Sequence, residues 1–331
     1  MDVSVASDKD RQLWDDIVFS SIDGTLFHSW NWLKIMEKYN WKKIFSRHYR
    51  GTLFPLIIRD GSEIIGLLPV FFYDTRWLKI ASSPPFSLET CYLGPVMKKY
   101  DETKTHKKQH QFFEFQKAAD DFLKNTLQAN YIRIRSSPGT ADPRPFIWSG
   151  YQVTPEFTST IDVSGGEKTV WENFSPTVRR TVKKLEKNGV SLAMGSKEDV
   201  DFLYNLMLGH QRIEAPKEFV LEIYENFSEN IKFFIAKKDD IPLTGNITFT
   251  YKEKVNGWIG TPRTMINGAS PNYLVNWEAM RWACNNNFKT YEIIGASDLT
   301  LFPFKSQFNA EIIPFYSMLW ESPFARFIQK F

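Results

Sequence analysis

The sequence predicts a mixed α+β fold built from two domains of similar construction. Three observations support this: helix-like and strand-like segments intermingle along the chain, its 331 residues exceed what one ordinary core needs, and one strand–turn–strand pattern occurs twice. The copies are IIRDGSEIIGLLPVFF (57–72) and IAKKDDIPLTGNITFT (235–250), in which Gly66 corresponds to Gly245. We therefore expect each domain to pack helices on a mainly antiparallel sheet.

Apolar periodicity and capping residues place the helices. Apolar residues spaced three and four apart predict helices at 8–18, 30–39, 108–128, 167–188, 197–213, 216–227 and 271–287. The dipeptide SP at 175–176 is typical of a helix start, and NG at 188–189 is typical of a helix end. A second SP dipeptide, at 270–271, predicts another helix start.

Runs rich in β-branched and aromatic residues place the strands. They predict strands at 43–49, 53–59, 63–73, 131–135, 157–162, 231–237, 243–251, 255–261, 290–294 and 312–319. The polar, proline-rich stretch SSPGTADPRPF (136–146) predicts a loop before a domain boundary near residue 152. The N-terminal domain is assigned to 1–152 and the C-terminal domain to 153–312.

The composition is that of a globular protein, and it argues against several other classes of protein. With 41 basic and 38 acidic residues the net charge is only +3, which argues against a dedicated nucleic-acid coat. Cys91 and Cys284 form no CxxC pattern, so neither a zinc site nor a disulfide framework is expected. The first residues do not resemble a signal peptide, and no run approaches the ~20 apolar residues of a membrane span. The expected location is the cytoplasm.

The familiar catalytic and metal-binding patterns are missing from the sequence. It contains no P-loop, no GxGxxG and no Ser-His-Asp pattern. His106 and His110 have a spacing that can hold a metal, but neighbouring lysines would repel a cation and no carboxylate adjoins them. We predict no metal site.

One predicted helix is strongly basic. Within 175–189 the apolar stripe leaves a face of five cations against one glutamate: Arg179, Arg180, Lys183, Lys184 and Lys187. Such a face is either ordinary solvated surface or a wall for a phosphate-bearing ligand. The sequence leaves both interpretations open.

The segment FPFKSQF (302–308) places one lysine among three phenylalanines. Lys305 could extend along aromatic surface and bring its charge to water. Alternatively, it is poorly solvated among Phe302, Phe304 and Phe308, where a cation attracts a developing negative charge strongly. Asp298 is either a cap of the preceding loop or the partner of this lysine.

A set of motifs in a fixed order carries a resemblance to a known family. The segments are VWENFSPTVRRTVKKLEKNGV, HQRIEAPKEF, FFIAKKDDIPLTGNITF, SPNYLVNWEAMRWACNNNFKTYEIIG and LFPFKSQFNAEIIPF. In this order they resemble the FemAB-like branch of the GNAT superfamily, which includes peptidoglycan interpeptide-bridge aminoacyltransferases and BioF2-like acyltransferase domains. The resemblance covers about 155–316 well, and FHSWNWLKIMEKYNW (27–41) matches more loosely.

The resemblance implies two GNAT-like domains with a substrate groove between them, the first completed by residues 313–331. It implies that Lys305 stabilises a tetrahedral oxyanion, while Lys34 and Arg212 hold the diphosphate of a sugar-nucleotide acceptor. One departure concerns the loop that cradles the CoA pyrophosphate in typical GNAT enzymes. IGTPRTMINGASPN (259–272) occupies that region without the glycine pattern, which puts acetyl-CoA use in doubt.

The resulting hypothesis is an acyl- or aminoacyltransferase that moves an activated acyl group onto an amine of a cell-envelope, glycan or sugar-nucleotide acceptor. Lys305 is the predicted catalytic residue, and Lys34, Arg212, Arg179 and Arg180 are the predicted substrate-binding residues. The acyl donor, aminoacyl-tRNA or acyl-CoA, is a co-substrate, and no permanently bound cofactor is expected.

Three alternatives stay open. Lys305 could act as a general base instead of an oxyanion stabiliser. The chain could be a non-catalytic, degenerate GNAT-fold module that binds a sugar nucleotide or a protein. Finally, WESPFARFIQKF (320–331) either packs as a terminal helix or makes peripheral contact with a membrane.

Overall fold

The computed structural model describes residues 1–98, 104–140, 142–210, 213–261 and 265–328. The chain divides into two compact units. Unit 1 comprises Met1–Glu156 with Pro314–Phe331, and unit 2 comprises Phe157–Ile313. Helices and strands intermingle in both, which confirms the predicted mixed α+β class.

The regular elements are as follows. The helices are α1 Arg11–Ser20, α2 Trp30–Tyr39, α3 Thr105–Asp121, α4 Arg144–Trp148, α5 Gly166–Asn173, α6 Pro176–Lys187, α7 Lys197–Gly209, α8 Lys217–Asn226, α9 Asn272–Asn285, α10 Phe302–Lys305 and α11 Pro323–Ile328. The strands are β1 Asp2–Val5, β2 Trp41–Ile44, β3 Arg47–Arg50, β4 Thr52–Asp60, β5 Glu63–Asp74, β6 Lys79–Ser83, β7 Val96–Met97, β8 Tyr131–Arg135, β9 Gln152–Asp162, β10 Ser191–Met194, β11 Ile231–Lys238, β12 Ile241–Tyr251, β13 Lys254–Gly260, β14 Thr290–Ile293 and β15 Glu311–Glu321.

The strands of unit 1 follow the order β1-β4-β5-β6-β8-β15, with β7 paired to β5. Neighbours run antiparallel except β6 and β8, which are parallel, with Ile80 opposite Tyr131. A parallel pair needs a crossover connection, and the segment between these two strands contains α3. Phe115 of this helix packs with Leu56 and Ile132 in the core. The hairpin β2–β3 forms a separate two-stranded sheet.

Unit 2 repeats this construction with the order β10-β11-β12-β13-β14-β9. Here β13 and β14 form the parallel pair, with Lys254 opposite Thr290, and α9 lies in the crossover between them. The core forms where α5, α6 and α9 pack against one another and the sheet, and it includes Val178, Met280 and Tyr291.

The hairpins predicted from the repeated sequence pattern are both present. In β4–β5, Gly66 lies opposite Ile58, and in β11–β12, Gly245 lies opposite Ile235. A Cβ atom on Gly66 would lie 2.7 Å from the Val96 carbonyl oxygen, and one on Gly245 would lie 2.6 Å from the Phe233 ring. Both glycines are therefore required by close packing rather than by a turn.

Two helix predictions need correction. The helix expected over 167–188 is interrupted, because α5 ends at Asn173 and Ser175 starts a new helix. The Ser175 hydroxyl accepts a hydrogen bond from the Val178 amide, as an N-cap does. At the second SP dipeptide the observed N-cap is one residue later than predicted, because Pro271 rather than Ser270 caps α9. Within the described ranges, no helix has both the length and the apolar composition required to cross a bilayer.

Candidate active site

The phenylalanines of FPFKSQF fix the short helix α10 to unit 2. The ring centroids of Phe304 and Phe308 lie 4.7 and 5.7 Å from that of Tyr273 on α9. The Phe308 ring also contacts Phe174 at 5.3 Å, and its side chain is buried in the core. Phe302 behaves differently, because 61% of it is exposed. The expectation that all three phenylalanines shield Lys305 is therefore wrong for Phe302.

The Lys305 side chain is buried, with only 8% of the residue exposed. Its Nζ donates hydrogen bonds to the carbonyl oxygens of Ile294 and Gly295, the latter at 2.8 Å. Gly295 has a φ of +86°, and a Cβ there would lie 3.3 Å from this ammonium nitrogen. The charge is thus held against the main chain and does not extend along the surface to bulk water, which removes the surface alternative.

The two carbonyls that accept hydrogen bonds from Lys305 lie just beyond the carboxyl end of the parallel strand pair β13–β14. The ladder between β13 and β14 runs only as far as Gly257 opposite Ile293, whereas β13 continues along β12 to Gly260. Ile294 is the first residue beyond β14. Ligands of α/β folds bind outside the carboxyl ends of parallel strands, where neighbouring strands part. The buried ammonium lies at such a position.

A layer of uncharged polar side chains joins the start of α9 to the strands. The Thr244 hydroxyl donates to Asn272 Oδ1 at 2.7 Å, and Asn272 Nδ2 donates to the carbonyl of Thr261, the residue after β13, at 2.8 Å. Deeper in, Asn246 Nδ2 donates to the Tyr291 hydroxyl at 3.0 Å. Burial raises the pKa of the Tyr291 phenol, so that group stays neutral. The two contacts of Asn272 hold the start of α9 beside the strand ends, and the contact between Asn246 and Tyr291 joins β12 to β14.

The basic helix α6 begins next to the Lys305 segment. The Ser175 amide donates to the Gln307 carbonyl at 3.0 Å, and the Ser175 hydroxyl donates to Gln307 Oε1 at 2.8 Å. On this helix Arg180 is exposed and Arg179 is half-buried, and each donates to a nearby main-chain carbonyl. The apolar stripe is buried as predicted, and it consists of Val178, Val182 and Leu185. The helix that carries these cations therefore begins in contact with Gln307, which is two residues after Lys305 in the chain.

Of the other two predicted substrate-binding residues, one belongs to unit 1 and one lies outside the described residues. Lys34 belongs to α2 in unit 1, is exposed, and forms an ion pair with Glu37 at 2.7 Å. Arg212 lies outside the described residues. The structure thus brings together Lys305 and the start of the helix that carries Arg179 and Arg180, all in unit 2.

Two acidic residues near Lys305 have identifiable functions in the fold. Asp298 Oδ1 accepts hydrogen bonds from the amide and hydroxyl of Thr300, so it caps the loop, as one of the two alternatives expected. Glu292 was missed by sequence reasoning. Its buried carboxylate accepts from Thr158 at 2.7 Å and from Asn256 at 2.8 Å. A lone glutamate in the apolar run TYEIIG was the signal that could have identified it.

The structure also shows where the histidine pair with metal-binding spacing lies. His106 and His110 lie on α3 and are exposed. Within the part of the chain that the structure covers, no group of three His, Cys, Asp or Glu side chains is arranged to hold a metal ion.

Comparison with known proteins identifies the type of domain. Residues 173–306 match the family model described as an acetyltransferase (GNAT) domain. This range includes α6, the parallel pair β13–β14 and Lys305. No curated protein sequence matches the chain.

Solved structures match nearly the whole chain. A crystal structure of FemX aligns with a TM-score of 0.68 at 13% identity, covering 96% of this chain and 97% of that one. The C-terminal domain of a predicted lysylphosphatidylglycerol synthetase from Agrobacterium fabrum aligns with a TM-score of 0.54 at 12% identity, covering 97% and 95%. A tandem GNAT protein from the clavulanic acid biosynthesis pathway aligns with a TM-score of 0.53 at 9% identity, covering 96% and 98%.

At these identities the similarity shows a shared fold and not a shared substrate. The GNAT-domain match supports acyltransferase chemistry in general, since the matched range contains the strand ends and the buried lysine described above. The domain match thus identifies a GNAT-type domain over 173–306, and the similarity to FemX shows a shared fold over nearly the whole chain.

Proposed function

We propose that this protein is an acyl- or aminoacyltransferase that moves an activated acyl group onto an amine of a cell-envelope, glycan or sugar-nucleotide acceptor. The observation that carries the proposal is the buried Lys305 ammonium at the carboxyl end of the parallel pair β13–β14. That position lies inside the range that matches the GNAT domain.

The reaction would follow ordinary acyl transfer. The acceptor amine attacks the acyl carbonyl carbon, the new C–N bond forms, and the carbonyl oxygen takes up the electron pair as an oxyanion. Collapse of this intermediate breaks the bond to the thiol or hydroxyl leaving group, which receives the proton that the amine loses. The largest charge develops on the oxygen, so a cation fixed nearby lowers the barrier.

Two contacts favour Lys305 as the oxyanion stabiliser over Lys305 as the general base. Hydrogen bonds donated to the Ile294 and Gly295 carbonyls stabilise the charged ammonium relative to the free amine. The same bonds fix the position of the charge before substrate arrives, so little reorganisation is needed during the reaction. To act as a general base, the lysine would have to be a neutral amine before it accepts the proton, and the two carbonyl contacts disfavour that form.

The cations near this position would bind the phosphates of a substrate. Arg180 is exposed and Arg179 is half-buried on α6, and guanidinium groups suit phosphate oxygens. We expect Arg179→Ala and Arg180→Ala each to raise KM for a phosphate-bearing substrate about 2–5-fold with little change in kcat. Lys34 and Arg212 are proposed for the acceptor on the family resemblance, and Lys34→Ala tests the first of them.

The acyl donor is proposed to be a diffusible co-substrate, either an acyl-CoA or an aminoacyl-tRNA. Both carry phosphates that the basic face of α6 would attract, so this face does not distinguish them. The segment 259–272, which lacks the glycine pattern of a CoA-pyrophosphate loop, includes residues 262–264 outside the described ranges.

The test is a transfer assay read by mass spectrometry. The purified chain is incubated with acyl-CoA esters or aminoacyl-tRNA and with amino sugars or amine-bearing sugar nucleotides, and products are identified by the mass of the added acyl group. Lys305→Met should reduce the rate of product formation 10²–10³-fold. Lys232→Met is the matched control, because Lys232 is a half-buried lysine of unit 2 outside α6 that also donates to two main-chain carbonyls, those of Glu229 at 3.0 Å and Ile231 at 3.2 Å.

If the chain is instead a non-catalytic binding module, we expect different results in ligand-binding and transfer assays. Sugar nucleotides would raise the melting temperature of the wild-type chain, because a ligand that binds only the folded state stabilises it. No donor and acceptor pair would yield product. That combination would replace the transferase proposal by the binding module, with Lys305 serving only to tie α10 to the end of β14.

A further inference from the structure

Three separate segments of unit 1 meet at a surface groove of about 630 Å³. They are the β2–β3 hairpin, the β5–β6 turn and α11. The lining of the groove includes Phe45, Arg47, Arg76, Trp77, Phe324 and Phe327. Four of the aromatic lining residues are unusually exposed: Phe45 by 58%, Trp77 by 52%, Phe324 by 48% and Phe327 by 62%. Contiguous exposed apolar surface of this kind indicates an interaction site.

The position of Phe45 is unfavourable for the isolated fold. It occupies the two-residue turn between β2 and β3 with a φ of +55°, where glycine, asparagine or aspartate is the usual residue. A phenylalanine there carries backbone strain and exposes its ring to water as well. Neither feature stabilises the hairpin, and strain of this kind is typical of a residue with a function in binding.

The other aromatic residues present their rings in the same manner. Trp77 is in the turn between β5 and β6, and the Arg76 guanidinium stacks 4.8 Å from its ring centroid. Phe324 and Phe327 extend from α11, whereas Ala325 of the same helix is fully buried. The helix therefore packs through its small residue and leaves its large apolar residues facing out.

The charge around the groove is positive. Its lining contains Arg47 and Arg76 and no carboxylate. The hairpin sequence WKKIFSRHYR (41–50) adds further basic residues and contains neither aspartate nor glutamate. The acidic residues that border these segments have basic neighbours: Asp74 lies opposite Lys79 in the β5–β6 ladder, and Glu321 lies 3.9 Å from Arg326.

We propose that this groove and its rim form a docking surface for an anionic phospholipid bilayer. Tryptophan and phenylalanine rings partition into the interfacial region of a membrane, and arginine binds lipid phosphate groups bidentately. Rings at the tips of two turns and one short helix reach the interface without a membrane-spanning helix. The surface combines exposed aromatic tips with positive charge, and that combination complements an anionic lipid surface.

The primary test measures co-sedimentation of the full chain with vesicles. Wild-type protein should bind vesicles that contain phosphatidylglycerol more tightly than vesicles of phosphatidylcholine alone, and high salt should weaken the difference. Trp77→Ala should reduce binding about 30-fold, the equivalent of ~2 kcal/mol for the exposed half of the indole. Arg47→Ala should reduce binding about five-fold, and only to the anionic vesicles.

Phe45→Asn separates membrane contact from folding. Asparagine tolerates a positive φ, so this variant should fold with equal or greater stability than the wild type. It should nevertheless bind anionic vesicles about ten-fold more weakly, because the inserting ring is gone. Trp148→Ala is the matched control: Trp148 is 63% exposed in unit 1 but does not line the groove, so vesicle binding should not change.

Other occupants give other results, and each contradicts the proposal. Equal binding of wild type and Trp77→Ala would show that the groove does not contact lipid, and so would absence of binding to anionic vesicles. Concentration-dependent dimerisation that Phe45→Asn abolishes would identify a second copy of the chain as the occupant. Because the readout is binding, it is independent of whether the protein transfers acyl groups.

Discussion

Replacement of Lys305 by methionine should have two separable effects, one on stability and one on catalysis. Methionine keeps most of the length and volume of the side chain but donates no hydrogen bond. The Ile294 and Gly295 carbonyls then lose the donor that they share in a site only 8% exposed. A hydrogen bond from a charged group contributes about 1.5–3 kcal/mol, and burial of the charge offsets part of that.

The expected loss of stability is therefore about 3 kcal/mol. For a domain of 150–250 residues, each kcal/mol corresponds to about 2–4 °C in Tm, so the melting transition of unit 2 should fall by about 6–12 °C. Differential scanning calorimetry measures it directly. Transfer activity, assayed well below the new Tm, should fall 10²–10³-fold. The control Lys232→Met should change Tm by less than about 3 °C and leave kcat unchanged.

The reasoning would be refuted by a variant that melts like the wild type, since the two carbonyl contacts would then contribute nothing. It would equally be refuted by a variant that melts lower but transfers at the wild-type rate. That second result would assign Lys305 a structural function alone.

Further predictions follow from individual contacts. Gly295→Ala should lower Tm and also reduce kcat, because a Cβ at a φ of +86° is strained and lies 3.3 Å from Lys305 Nζ; a loss of stability with unchanged kcat would contradict this. Ser175→Ala should destabilise unit 2 by about 1 kcal/mol, through loss of the N-cap and of the 2.8 Å bond to Gln307, as urea denaturation would measure. Burial raises the pKa of the Asp120 carboxyl even though Lys124 donates to it at 2.8 Å, so the stability linked to its protonation is present below the unfolded pKa and is lost as pH rises through the raised folded pKa. Asp120→Asn should therefore gain stability relative to wild type as pH rises from acidic values toward neutrality, and a difference that does not vary with pH would contradict the assignment.

The sequence was sufficient for the class of fold and for most elements, because apolar periodicity and capping residues act locally. The hairpin predicted over 235–250 is an example: its alternating residues and charged turn determine β11–β12 without help from distant contacts. The break between α5 and α6 was also encoded locally, in Ser175 and Pro176, although periodicity alone ran across it. Local signals were decisive in each case.

The site was less accessible from sequence, because its contacts join distant segments. Residue type suggested that Lys305 is special, but nothing in FPFKSQF indicates that its partners are carbonyls ten and eleven residues earlier. Glu292 and its hydrogen bonds to Thr158 and Asn256 depend on strand pairing over more than thirty residues. The groove of unit 1 was missed for the same reason, since Phe45, Trp77 and Phe327 come together only in the fold.

The role of Lys305 is tested most directly by the dependence of kcat/KM on pH for the wild type and for Lys305→Met with the same donor and acceptor. If the ammonium stabilises the oxyanion, the two profiles should have the same shape across neutral pH, with the variant lower by a constant factor of 10²–10³. A variant profile that lacks one limb of the wild-type curve would make Lys305 the general base instead. Superimposed profiles would remove it from the chemistry altogether.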